Sequence, residues 1–224
     1  IYYKIGKLMK IFIFLLIILT SNSCRKVQKN KDHNTLRLSL RSSLDSIDPA
    51  RSYDTVSATV IYQSYEQLYE YSYLKKPLTL KPLLAEGMPR VTNNGKKVTI
   101  KIKKNIRYHD DLCFKGKERF VKANDFINQI KRLAFIPTQS TGSWIFENKL
   151  VGYNEFRTQA GNDYHKFKDL SISGLKAIDD HTIEFNLTEP YPQLNYILAM
   201  SFTSPMPIEA IDFYRNNLEN KIIG

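Results

Sequence analysis

His109, Asp110 and Asp111 are consecutive, the closest approach in this 224-residue chain to a base, an acid and an orienting carboxylate. A cell-envelope hydrolase built on His109 and Asp110 is the enzyme reading of that triplet, and a polar loop that caps and turns is the plainer one. A metal would need more ligands. His33, His165 and His181 each lie in polar surroundings, with no HxxxH or HxH spacing, so no metal site is expected. Cys24 and Cys113 make no CxxC or Cys/His cluster, and neither GxSxG nor SxxK is present to mark a nucleophile. Glycine patterns that cradle phosphates are missing as well, so no cofactor is expected. Asn186-Leu187-Thr188 fits a glycosylation sequon but falls inside a strand pattern, and is read as chance. None of these patterns on its own marks a catalytic centre.

The charge has its own explanation. Lys and Arg outnumber Asp and Glu by 33 to 22, a net charge of +11. Ile11–Leu19 is an unbroken apolar run of nine residues, under half of what a bilayer-spanning helix needs, and it follows Lys4, Lys7 and Lys10. With Met9 as the start, positions 1–23 read as an export signal ending in small polar residues before Cys24. This resembles a bacterial lipoprotein signal, in which Cys24 would carry the lipid, although Ser21 stands where that signal usually has Leu. Residues 24–34, with Arg25, Lys26, Lys29 and Lys31, read as a basic tether beside an anionic leaflet. Basicity with an export signal points to a membrane surface and away from nucleic acid.

At 42% hydrophobic and 25% charged, the remainder has the composition of a globular domain. Leu36, Leu38 and Leu40 alternate with Arg37, Ser39 and Arg41 as a half-buried strand, which Asp48-Pro49 closes off. Asp54 is a fair N-cap for a helix whose apolar positions run through Val56, Val60, Ile61, Tyr65 and Leu68. Asn94-Gly95 predicts a hairpin turn into a strand with Val98, Ile100 and Ile102 on one face and a wholly cationic other face. A second helix is predicted from about Lys122 to Ala134, with Phe126, Ile127, Ile130 and Leu133 as its stripe and Asp125 in its first turn. Positions 136–169 show little periodicity. Two strands are predicted around Asp179-Asp180, and short helices after Pro192 and Pro207. The order is that of a mixed α/β fold.

The succession SLDSIDPA, SYEQLYEY, LKPLLAE, RVTNNGKKVTIKIKKNIRYHDD, VKANDFINQIKRLA, GLKAIDDHTIEFNLTEPYPQLNYILA and SPMPIEAI resembles the extracellular oligopeptide- and dipeptide-binding proteins of ABC importers. The order and spacing of these blocks, from Leu36 to about Phe213, carry the resemblance. Gln67, Asn94, Asp111 and Lys122 depart from it where Gly, Asp, Gly and Thr are usual. It implies a type II periplasmic-binding-protein clamshell of α/β lobes that closes on an extended peptide and delivers it to membrane permease subunits, in the periplasm or at the cell surface. Family members are usually much longer, so 35–224 would be an incomplete N-terminal lobe. The resemblance places the loop after Asp-Pro beside the ligand, with Ser52, Tyr53, Asp54 and Thr55, and the aromatic loop after the Arg-ended helix, with Gly142, Ser143 and Trp144. A nickel, haem or sugar ligand on the same fold stays open, because fold does not fix ligand.

Overall fold

Strand alternation and cross-strand pairing organise the centre of the molecule. A computed structural model of the protein describes residues 39–224; the expected export signal, the expected tether with Cys24, and Leu36 and Leu38 lie outside the described residues. Arg90–Thr92 (β3) and Lys97–Lys101 (β4) form a hairpin, and β4 also pairs with Thr182–Asn186 (β6), which pairs with Leu175–Asp179 (β5). The result is a four-stranded antiparallel sheet in the order β3-β4-β6-β5. Val98, Ile100, Ile183 and Phe185 point from it into the core. The opposite face of β4, expected to be wholly cationic, carries Thr99 between Lys97 and Lys101, and Glu184 of the neighbouring β6 pairs with Lys97 at 2.8 Å. Tyr69–Tyr71 (β1) and Leu80–Pro82 (β2) make a separate two-stranded hairpin.

The β3–β4 turn is displaced by one residue from its expected centre. Asn93 and Asn94 both take φ +50°, and the Gly95 N–H donates to the Thr92 carbonyl at 3.2 Å, so the tight turn is Thr92–Gly95. Asparagine tolerates the left-handed region well enough to hold both central positions. Gly95 then continues at φ +86°.

Thr55–Ser64 (α1) begins on Asp54, whose carboxylate accepts from Val56 and Ser57 at 3.0 and 2.8 Å. It ends earlier than the periodicity suggests. Tyr65 and Leu68 are buried, but from extended chain leading into β1, so their spacing mimicked a helical stripe by coincidence. Ala123–Ala134 (α2) matches its prediction, burying Phe126, Ile130 and Leu133, with Ile127 half-buried. Lys122 cannot cap α2 as Thr would, and Asp125 does so instead by accepting the Lys122 N–H at 2.9 Å. Tyr153–Ala160 (α3) and Tyr164–Asp169 (α4) occupy the stretch where little periodicity was found. Tyr153, Phe156 and Ala160 do recur at helical spacing, but over one short helix with no side-chain N-cap. Leu194–Ile197 (α5) and Ile208–Tyr214 (α6) follow Pro192 and Pro207 as predicted. The first predicted strand fails in its described part: Ser39–Arg41 are outside any strand, and Leu40 is 48% exposed.

Candidate functional site

Two loops from distant parts of the chain are fastened to each other and to Phe202. In the first, the Asp48 carboxylate accepts from the Ala50 N–H at 3.0 Å, and the Asp48 carbonyl accepts from the N–H groups of Arg51 and Ser52. Pro49 suits this turn because its ring fixes φ. Arg132, in the last turn of α2, meets Asp48 with two bonds of 3.0 and 2.5 Å, both side chains buried. Planar, bidentate pairing of this kind holds the loop in a single orientation. Gln129 accepts from Arg132 at 3.0 Å and donates to the Phe202 carbonyl at 2.9 Å, so one turn of α2 sets both the Asp-Pro loop and Phe202.

The second loop follows α2. Ser140 donates to the Ala50 carbonyl at 2.6 Å and Thr141 to the Arg51 carbonyl at 2.8 Å. Gly142 lies against the Phe202 ring; a Cβ there would stand 2.6 Å from Cδ1. Phe202 also stacks with Tyr53 at a centroid distance of 6.0 Å and 26° between planes. The Ser143 carbonyl accepts from the Tyr153 hydroxyl at 2.9 Å, which ties the turn Ser143–Ile145 to α3.

Six of the seven predicted site residues therefore sit on loops that Phe202 and the two hydroxyls join, and the seventh, Thr55, is the first residue of the adjoining α1. Tyr53 and Trp144 are 67% and 50% exposed. Thr55 is exposed at the start of α1. Asp54 is spent on capping, and hydrogen bonds from Ser57 hold its carboxyl below its usual value. Ser52 is buried, and its hydroxyl has no partner among the described residues. Gly142 is buried and Ser143 half-buried. Among the described residues, the Ser52 carbonyl, the Tyr53 N–H and carbonyl, and the Asp54 N–H also have no main-chain partner. That stretch of backbone is what an extended ligand strand needs to pair with. Sequence reasoning missed Phe202, Gln129, Ser140 and Thr141. The Asp-Pro turn and the helix-ending Arg were both visible, but nothing local shows that they meet across 84 positions.

The histidine triplet is taken apart by its surroundings. Asp110 is paired with Arg107 at 2.7 Å, and His109 is exposed beside it. Asp111 accepts from the Cys113 N–H at 2.8 Å and from the Tyr214 hydroxyl at 2.9 Å; these bonds outweigh its burial and lower its pKa. Burial first, then Asp111, pushes the Cys113 thiol up to about 12, which keeps it protonated at neutral pH. Among the described residues no group of three His, Cys, Asp or Glu is placed to hold a metal. A cavity of about 610 Å³ touches Asp48, Arg51, Arg132, Phe135, Tyr164 and Arg215, and none of the seven predicted residues lines it. Its charges are already engaged: Arg132 with Asp48, Arg51 with Glu219 at 2.7 Å, and Arg215 over the Tyr164 ring at 4.2 Å.

The fold is that of a clamshell solute-binding protein, of which this chain spans a part. The pheromone receptor PrgZ, whose structure describes its mode of peptide binding, superposes with a TM-score of 0.64 at 26% identity, over 80% of this chain and 32% of that one. Residues 79–224 match the bacterial extracellular solute-binding proteins, family 5, and the chain belongs to that family. It is similar to the oligopeptide-binding protein AmiA of Streptococcus pneumoniae, 30% identical over 128 residues, which are 57% of this chain and 18% of that protein. It is also similar to the glutathione-binding protein GsiB of Escherichia coli, 25% identical over 205 residues, 90% of this chain and 32% of GsiB. The chain thus spans about a third or less of the length of these relatives.

Proposed function

We propose that this chain supplies one wall of a peptide-binding cleft in the solute-capturing component of an ABC importer. The observation that carries the reading is the backbone from the Ser52 carbonyl to the Asp54 N–H, which has no main-chain partner among the described residues, on the same fastened loops as the exposed rings of Tyr53 and Trp144. An extended peptide pairs its main chain with such a stretch whatever its side chains are, and open aromatic walls accept varied residues. The names of the relatives, an oligopeptide-binding protein, a glutathione-binding protein and a receptor with a mode of peptide binding, all point to peptidic ligands. Cys24 would carry the lipid anchor and residues 24–34 form the tether, holding the protein in the periplasm or at the cell surface beside its permease. Binding rather than catalysis is the role assigned. The test is calorimetric titration of the protein that carries this chain with a mixture of short peptides. Saturable binding that weakens about tenfold in Tyr53→Ala, from roughly 1.4 kcal/mol of lost ring contact, is expected. Absence of binding to any peptide pool overturns the reading.

A further inference from the structure

The β1–β2 hairpin ends in a projecting tip, Ser72–Thr79, closed at its base by the Ser72 N–H donating to the Thr79 carbonyl at 2.7 Å. Nothing among the described residues covers its side chains. Tyr73 and Leu74 are 91% and 89% exposed, and Leu78 is exposed as well. Lys75 and Lys76 lie between them, and neither has a carboxylate partner among the described residues; Lys81 further along is already paired with Glu70 at 2.9 Å. From Tyr71 to Ala85 the sequence has no acidic residue at all. At the shoulder of the tip, the Tyr71 ring leans on Tyr196 at 6.3 Å, which widens the aromatic surface.

Two almost fully exposed large side chains cost free energy in water, and a cluster of this kind marks a contact site. Rings with a polar edge, leucines and unpaired lysines without acids are the composition that settles at the headgroup level of an anionic bilayer. Charge complementarity selects the occupant: each lysine near an anionic leaflet favours binding, while the apolar atoms enter below it. We propose that the Tyr73–Leu78 tip is a lipid-contacting element that inserts shallowly into an anionic membrane surface. It acts independently of any anchor at Cys24 and of what the cleft binds, and would fix which way the molecule faces on the bilayer.

The test uses the full chain with Cys24→Ser and Leu74→Cys, the new thiol carrying an environment-sensitive fluorophore, and a second protein labelled through Glu155→Cys on the exposed side of α3. Phosphatidylcholine vesicles with and without phosphatidylglycerol are added, some with brominated acyl chains. The label at position 74 is expected to shift to the blue and to be quenched by bromine only on the anionic vesicles, while the label at 155 stays in water. Replacing Lys75 and Lys76 by Gln is expected to weaken tip insertion on the order of thirtyfold, about fivefold per lysine. A position-74 label that stays water-like while the chain is bound to anionic vesicles overturns the proposal. So does a label that becomes protected only when permease protein is present.

Discussion

Tyr53 and Trp144 are both exposed aromatics, but different things hold them. Tyr53 rests on Phe202, whose carbonyl is fixed by Gln129, whereas Trp144 is placed by a turn whose carbonyl is tied to Tyr153. Gly142 is the position where the two arrangements touch. Because a Cβ there would overlap the Phe202 ring, Gly142→Ala must displace either the ring or the loop. The expected outcome is a folded protein, destabilised by about 1–3 kcal/mol in denaturant titration, whose peptide affinity falls together with that of Tyr53→Ala. A Gly142→Ala protein with unchanged affinity would separate Phe202 from the site. Lys131 offers a pH test at the same scale. Its ammonium lies over Phe167 and Phe156 at 5.0 and 5.4 Å, and burial lowers its pKa to about 8. The unfolded chain, with an ordinary lysine near 10.5, binds the proton more readily between those values. Stability contributed by this group is therefore lost as pH falls through about 8 and regained as pH rises toward 10.5. Lys131→Met should flatten that rise when melting is followed across the window, and an identical pH profile in both proteins would contradict the assignment.

At the scale of elements, α2 is the part on which the candidate site hangs, since its C-terminal half carries Gln129 and Arg132 and its first turn carries Asp125. Asp125 is buried against Arg119 at 2.6 Å, and Arg119 reaches Glu209 of α6 at 3.0 Å. Removing one partner from a buried pair leaves a bare charge, so Asp48→Ala is expected to cost about 3–5 kcal/mol. Replacing both members by apolar residues, Asp48→Leu with Arg132→Met, is expected to restore much of that stability but not the loop geometry. Recovered stability with lost peptide affinity would show that the pair positions the loop; recovery of both would show that it does not. The legibility of these elements follows from the range of the forces involved. Both long strand patterns, α2 and the proline-started helices could be read because burial at period 2 or 3.6 is a local signal. The end of α1 could not, because Tyr65 and Leu68 are buried by residues far along the chain, among them the carbonyl of Lys221, to which the Tyr65 hydroxyl donates. Nor could α3 and α4, whose stripes are too short to stand out. The two site loops were legible only through the family resemblance. Their fastening through Ser140, Thr141 and Phe202 is a tertiary fact with no local trace, and Gln67 likewise explains itself only in three dimensions, by donating to Ser204 and to the Tyr65 carbonyl.

For the whole molecule, the proposed cleft wall would work with an opposing surface, and capture on that proposal would mean that ligand favours the closed arrangement of the two, by no more than its differential affinity for it. The direct measurement is a calorimetric comparison, on the protein that carries this chain, of a bound short peptide with the same peptide N-methylated along its backbone and with side-chain-shuffled peptides of equal length. Main-chain pairing at Ser52–Asp54 requires shuffled peptides to bind within a few-fold of one another while N-methylation weakens binding on the order of tenfold or more, each lost hydrogen bond contributing about 1 kcal/mol. Equal binding of the methylated and unmethylated peptides, or binding that follows one side-chain sequence alone, would contradict it.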